Sequence, residues 1–133
     1  MGDVAAAPVV LVDARNVMRS RWPNIRERRF LELTSAWSEH EDVRPLVVFD
    51  GPAPRERPAG LEVVGTYEES ADDVIAREAE RLYDDGRRVW LVSSDRGLRA
   101  RAADYVERTI GGGTFAGELE ALEEDLQSDR PIW

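Results

Sequence analysis

The stretch that most limits what this chain can become is Pro8-Val-Val-Leu-Val-Asp13-Ala-Arg-Asn16, an apolar run that stops abruptly in polar residues. Four consecutive apolar residues, three of them valine, read as a strand buried on both faces, as a parallel sheet demands. The carboxylate, arginine and carboxamide then sit at the strand's carboxyl end, the edge of an open α/β sheet where ligands bind. The arrangement recurs at Pro45-Leu-Val-Val-Phe49-Asp50 and at Arg88-Val-Trp-Leu-Val92-Ser93-Ser94-Asp95, and Leu61 to Gly65 predicts a shorter strand between them.

Helical patterns separate these runs. Ile25 to about Glu39 places Ile25, Phe30, Leu33, Ala36 and Trp37 near one face. Ser70 is a good N-cap with Asp73 at the third helical position, and Val74, Ile75, Ala79, Leu82 and Tyr83 form the stripe that Asp84-Asp-Gly86 ends. Asp95 caps a helix from Arg96 to about Ala103. Tyr105-Val106 and Thr109-Ile110 predict a short edge strand. Gly111 to Gly113 reads as a flexible break, and Thr114 as the cap of a last helix buried through Phe115, Leu119, Leu122 and Leu126. Met18 to Asn24 is expected to be an arginine-bearing loop, and Gly51 to Gly60, with three prolines, an exposed and mobile one that flanks a site. Strands alternating with helices give an α/β fold with a mostly parallel sheet and right-handed crossovers. At 133 residues the expectation is a disordered lead-in over residues 1–7 and a single domain over 8–133, with Ile132 and Trp133 packing back on the core or, as the alternative, serving a dimer.

Composition removes several classes of function. With no cysteine there is no disulfide framework, no thiolate-held zinc and no thiol nucleophile. No basic leader and no membrane-length apolar run is present, so a soluble, cytoplasmic protein with no membrane partner is expected. Loops that cradle nucleotides (Gly-x-x-x-x-Gly-Lys, or Gly-x-Gly-x-x-Gly after the first strand) are missing, as is Gly-x-Ser-x-Gly. The chain has no lysine, which excludes the usual phosphoaspartyl sites, and its one histidine, His40, falls in a polar helix end. A net charge of −9 argues against wholesale nucleic-acid binding. The charge is unevenly spread, however: Arg15 to Arg29 holds six arginines and one acid, and Glu118 to Asp129 six acids and no base. A basic patch on an acidic protein suits a local phosphate contact.

Right-handed βαβ geometry brings the carboxyl ends of the strands, and the N-termini of the helices after them, to one edge. Asp13, Asp50 and Asp95 follow strands directly, and Asp72 and Asp73 open a helix, so five carboxylates from four segments converge there beside Asn16. Singly, each has an ordinary explanation as a cap, a turn or a helix-dipole partner. Together they raise one another's pKa unless cations neutralise them. Oxygen ligands without His or Cys select Mg²⁺ or Mn²⁺, which suits metal-assisted phosphodiester hydrolysis.

The motifs Val12-Asp13-Ala-Arg-Asn16-Val, Val48-Phe-Asp50, Glu69-Ser-Ala-Asp72-Asp73 and Ser93-Ser-Asp95-Arg96, with Trp22-Pro23 after the first, resemble in order and spacing the YacP-like branch of the NYN domains, within the PIN-like superfamily of metal-dependent ribonucleases. The resemblance runs from Pro8 to about Leu126. It implies a PIN-like three-layer α/β/α fold, a divalent metal and cleavage of RNA. On that match Asp13, Asp72 or Asp73, and Asp95 hold Mg²⁺ or Mn²⁺, Asn16 orients a ligand or a bound water, and Asp50 is a further candidate ligand. Ser94 and Arg96 lie near the phosphate, and Arg15, Arg19 and Arg21 guide the RNA backbone. Two departures stand out: Ala14-Arg15 where relatives often have Gly and an aromatic, and an acidic rather than basic C-terminus. The second weakens non-specific RNA affinity and suggests a target presented by a ribosome or another protein. A catalytically silent RNA- or protein-binding module on the same fold is the alternative, and a nuclease for structured DNA a third reading.

Overall fold

The computed structural model describes residues 6–128; most of the lead-in expected over residues 1–7, and Ile132 and Trp133, lie outside the described residues. Ten elements follow one another: β1 (Val9–Asp13), α1 (Ala14–Arg19), α2 (Glu27–Glu41), β2 (Arg44–Phe49), β3 (Glu62–Gly65), α3 (Ala71–Asp84), β4 (Val89–Val92), α4 (Arg96–Ala102), β5 (Arg108–Ile110) and α5 (Gly112–Ser128). The five strands form one sheet in the order β3-β2-β1-β4-β5, every pairing parallel. Leu11 of β1 registers with Leu46 on one side and Leu91 on the other.

Helices cover both faces, and strand side chains alternate between them as a period of two requires. Val10, Val12, Val47, Phe49 and Val92 pack under α1, α2 and α5, against Phe30, Trp37 and Phe115. Leu11, Val48, Val89 and Leu91 pack under α3 and α4, against Ile75, Leu82 and Leu98. The chain winds outward from β1 through β2 to β3, then crosses back to lay β4 on the other side of β1. That reversal splays the connections leaving β1 and β4 onto opposite faces and opens a crevice at their carboxyl ends.

Local chemistry explains most boundaries. Ser70 Oγ accepts the Asp73 N–H at 3.1 Å and Asp95 Oδ1 the Leu98 N–H at 2.8 Å, so both expected N-caps form. Gly86, at φ +77°, supplies the left-handed residue that turns the chain after α3. Several expectations are corrected. The residues after β1 make a turn and a half of helix, α1, with Ala14, Val17 and Met18 buried, so the arginine-bearing loop begins only at Ser20. Gly112 and Gly113 are the opening residues of α5, which leaves Thr114 inside the helix rather than capping it. Tyr105 and Val106 precede β5, and Leu126 and Tyr83, placed on buried faces, are 48% and 53% exposed, Tyr83 stacking edge-on with Tyr105. The proline-rich loop is tethered: Arg57 donates to the carbonyls of Val63 and Pro54 at 2.6 and 3.0 Å, and Gly51 and Thr66 exchange hydrogen bonds. Among the described residues no helix is long and apolar enough to cross a membrane.

Candidate active site

A cleft of about 440 Å³ opens beyond the strand ends, and Asp13, Asn16, Asp50, Asp72 and Asp95 all line it, with Arg15, Arg19 and Ser94. Four separate chain segments thus deliver carboxylates to one space. Asp13, the last residue of β1, is the deepest at 7% exposure. Ser93, wholly buried just after β4, donates its hydroxyl to Asp13 Oδ2 at 2.9 Å and accepts the Asp95 N–H at 3.1 Å. One hydroxyl therefore fixes the first and last acids of the cleft relative to each other.

Burial pushes the Asp13 carboxyl up to about 6, the Ser93 hydroxyl opposes this, and the charges of Asp72 and Asp95 add to the rise. Asp72 is also raised, first by burial and then by Asp95, with Asp50 and Asp73 contributing and Arg101 opposing. Asp50 Oδ1 accepts the Ala71 N–H at 3.1 Å, tying the end of β2 to the start of α3. Among the described residues no three acid side chains are close enough to enclose one ion.

On the other wall Asn16 is locked. Its Oδ1 accepts the Ser94 N–H at 2.9 Å, and Ser94 Oγ accepts the Gly112 N–H at 2.8 Å. A Cβ on Gly112 would overlap Asn16 Oδ1, closer than any real contact, so only glycine lets α5 come this near. With Oδ1 committed to Ser94, the Nδ2 donors of Asn16 remain for a ligand. Arg15 lies over the Phe49 ring, 5.1 Å from its centroid, and reaches Glu27 at 3.8 Å.

Three expected residues lie elsewhere. Asp73 bonds Arg101 at 2.9 Å in a neighbouring groove with Glu69, Arg77, Glu80 and Tyr105, and Arg101 holds its carboxyl below the usual range. Arg21 is tied by its guanidinium to Glu120 at 3.1 Å and to the Gly113 carbonyl at 3.3 Å. Arg96 opens α4, exposed and outside the cleft lining. Two residues that matter went unread in the sequence: Ser93, which carries no signal beyond preceding Ser94-Asp95, and Gly112, hidden in a run that looked like a break.

The YacP-like NYN domain family matches residues 10–130 of the chain. Two solved structures share the fold: Rae1 (YacP) from Bacillus subtilis, at 20% identity and TM-score 0.71 over 90% of this chain and 78% of that one, and a point mutant of it, at the same identity and TM-score over 91% and 80%. Among curated proteins none matches.

Proposed function

The chain belongs to the YacP-like NYN domain family, a PIN-like nuclease type of fold, and from that premise we propose that it is a divalent-metal-dependent endoribonuclease that hydrolyses RNA phosphodiester bonds. The observation that carries the reading is the delivery of Asp13, Asp50, Asp72 and Asp95 from four segments to one cleft. Without a cation, Asp13 and Asp72 hold their protons more tightly than ordinary aspartates, through burial and each other's neighbours. Uncompensated carboxylates, a carboxamide and hydroxyls, with no sulfur or imidazole, are the donor chemistry of Mg²⁺ or Mn²⁺, so the residues fit such an ion. Since no three of the acids enclose an ion by themselves among the described residues, Asp13, Asp72 and Asp95 would hold it partly through waters that such an ion keeps, with the free oxygen of Asp50 beside them. When bound it would supply Lewis-acid polarisation of a phosphate oxygen and a more acidic water.

The chain's own groups do the rest. Ser93 orients the Asp13 carboxylate and anchors the Asp95 backbone, and the Leu98 N–H holds Asp95 Oδ1, so the ligand carboxylates are set before substrate arrives. Asn16, held by Ser94, presents its Nδ2 donors to a phosphate oxygen or an attacking water. Arg15 and Arg19 line the same cleft and attract the phosphate backbone. The net charge of −9 keeps general affinity for RNA low, which favours a target presented by a ribosome or another protein in the cytoplasm.

The test is cleavage of a labelled RNA and of a DNA of matched sequence in Mn²⁺, Mg²⁺ and EDTA, with wild type, Asp13→Asn and Asp95→Asn. RNA cut only with metal, and by neither variant, is the expected result. Undiminished cutting by both variants would place the site elsewhere. Binding without cutting under every condition would favour the silent module, and preferred cutting of DNA the third reading.

A further inference from the structure

We propose that Trp22 is a stacking platform for one unpaired base of a single-stranded RNA whose phosphates pass Arg19 and Arg15 into the cleft. The inference rests on the reading of RNA as the ligand, and it names the residue that would grip a base rather than a phosphate.

Trp22 is 92% exposed, and Tyr67 is 90% exposed. Trp22 stands on the connection from α1 to α2 and Tyr67 on that from β3 to α3. Trp22 lies two residues beyond Ser20, which lines the cleft at the end of α1, and Tyr67 lies three before Ser70, which lines it at the start of α3. A side chain this apolar left in water on a mobile loop would mean little. The loop bearing Trp22 is instead fixed at three points. The Ile25 N–H closes it on the Met18 carbonyl at 3.1 Å, and the Ser20 hydroxyl and N–H both reach the Val17 carbonyl, at 2.6 and 3.1 Å. Arg21 is clamped to Glu120 and to the Gly113 carbonyl. The backbone is held on both sides of an indole that touches almost nothing, so a ligand can stack on it without first ordering the loop.

Charge separates the two aromatics. Trp22 follows Arg19 and Arg21, and Arg19, exposed at the cleft, makes no salt bridge among the described residues. Tyr67 precedes Glu68 and Glu69, of which Glu69 is paired with Arg77 at 2.7 Å. A strand that lays phosphates along Arg19 brings its bases to Trp22, while Glu68, without a salt bridge among the described residues, repels the same backbone beside Tyr67. The indole face accepts any base, so the platform adds affinity with little sequence preference. It also demands a base free of its complement, since a paired base offers no open face.

The test is binding in EDTA, where no cleavage occurs, of a fluorescent oligoadenylate and of an abasic strand of equal length, by wild type, Trp22→Ala, Trp22→Phe and Tyr67→Ala, each first shown by circular dichroism to melt as wild type does. Trp22→Ala is expected to bind oligoadenylate roughly five- to hundredfold more weakly, with Trp22→Phe between, and Tyr67→Ala unchanged. On the abasic strand all four proteins should bind alike. Equal binding of oligoadenylate by wild type and Trp22→Ala, equal losses on both strands, or no binding by wild type would each overturn the proposal. Binding that follows the expected pattern in a protein that never cleaves RNA would keep the platform and sink only the hydrolytic reading.

Discussion

Replacing Asp13 by Asn should stabilise the metal-free protein at neutral pH and destabilise it in acid. In the folded state Asp13 keeps its proton up to about pH 6, against 3.8 for the ordinary carboxyl. Below the lower value both folded and unfolded chains carry the proton, and the burial costs no charge. As pH rises between the two values the unfolded chain ionises first, and stability falls by about 1.4 kcal/mol per pH unit. Above the higher value the loss is complete, at about 3 kcal/mol. The Asp13→Asn variant would escape that loss. Its carboxamide oxygen still accepts the Ser93 hydroxyl, while its amide protons gain no partner, at a cost of about 1 kcal/mol. The variant should therefore be about 2 kcal/mol more stable than wild type at pH 8 and about 1 kcal/mol less stable below pH 4, the two curves crossing between pH 4 and 5. For a chain of this size the gain at pH 8 corresponds to a rise in Tm of about 6–10 °C. Urea unfolding of both proteins from pH 3 to 8 in EDTA reads the difference directly, and the other titrating groups largely cancel. A wild type at least as stable as the variant at pH 8 would refute the assignment of Asp13 as a buried, uncompensated acid.

Saturating Mn²⁺ should reverse the order at pH 8, because an ion held at one hundred times its Kd adds about 2.7 kcal/mol to wild type and little to Asp13→Asn; an equal rise in Tm for both would remove Asp13 from the ligand set. Gly112→Ala should lower cleavage at least tenfold although alanine suits a helix better, since its Cβ must evict the Asn16 carboxamide from its seat. Full activity in that variant would show that Asn16 needs no fixed seat. Ser93→Ala should cost about 1–2 kcal/mol in urea unfolding at pH 8, by leaving Asp13 Oδ2 and the Asp95 N–H without their shared partner. Asp72→Asn should abolish cleavage while Asp73→Asn retains it within a few fold, because Asp72 lines the cleft and Asp73 pairs with Arg101 outside it; equal loss in both would refute the division.

Features written in consecutive residues were legible. The strands before Asp50 and Ser93-Ser94-Asp95, and the one that Asp13 ends, announce themselves by an apolar run meeting polar residues, and the caps at Ser70 and Asp95 by local spacing. Where the outcome depended on distant partners, the sequence was silent. Asp72 and Asp73 look equivalent in the chain, yet successive residues of a helix point about 100° apart, and only the position of Arg101 separates them. Arg21 reads as an RNA contact until Glu120, nearly a hundred residues on, is found holding it. Helix α1 was missed because it is short and has no side-chain cap hydrogen bond to mark its start. A glycine run is ambiguous in principle: glycine serves where the chain must bend and also where it has no room, and Gly112 is there for want of room.

The contact between Gly112 and Asn16 also sets an order of events. Every acid of the cleft is encoded by residue 95, but the stop against which Asn16 rests arrives with the first turn of the last helix. A growing chain that has reached α4 already owns its carboxylates and the Ser94 N–H that holds Asn16, and still lacks the surface that backs the carboxamide. Completion of the site then waits on the final helix, and a polypeptide truncated before Gly112 would carry the charges of the centre with its hydrogen-bond donor held by Ser94 alone.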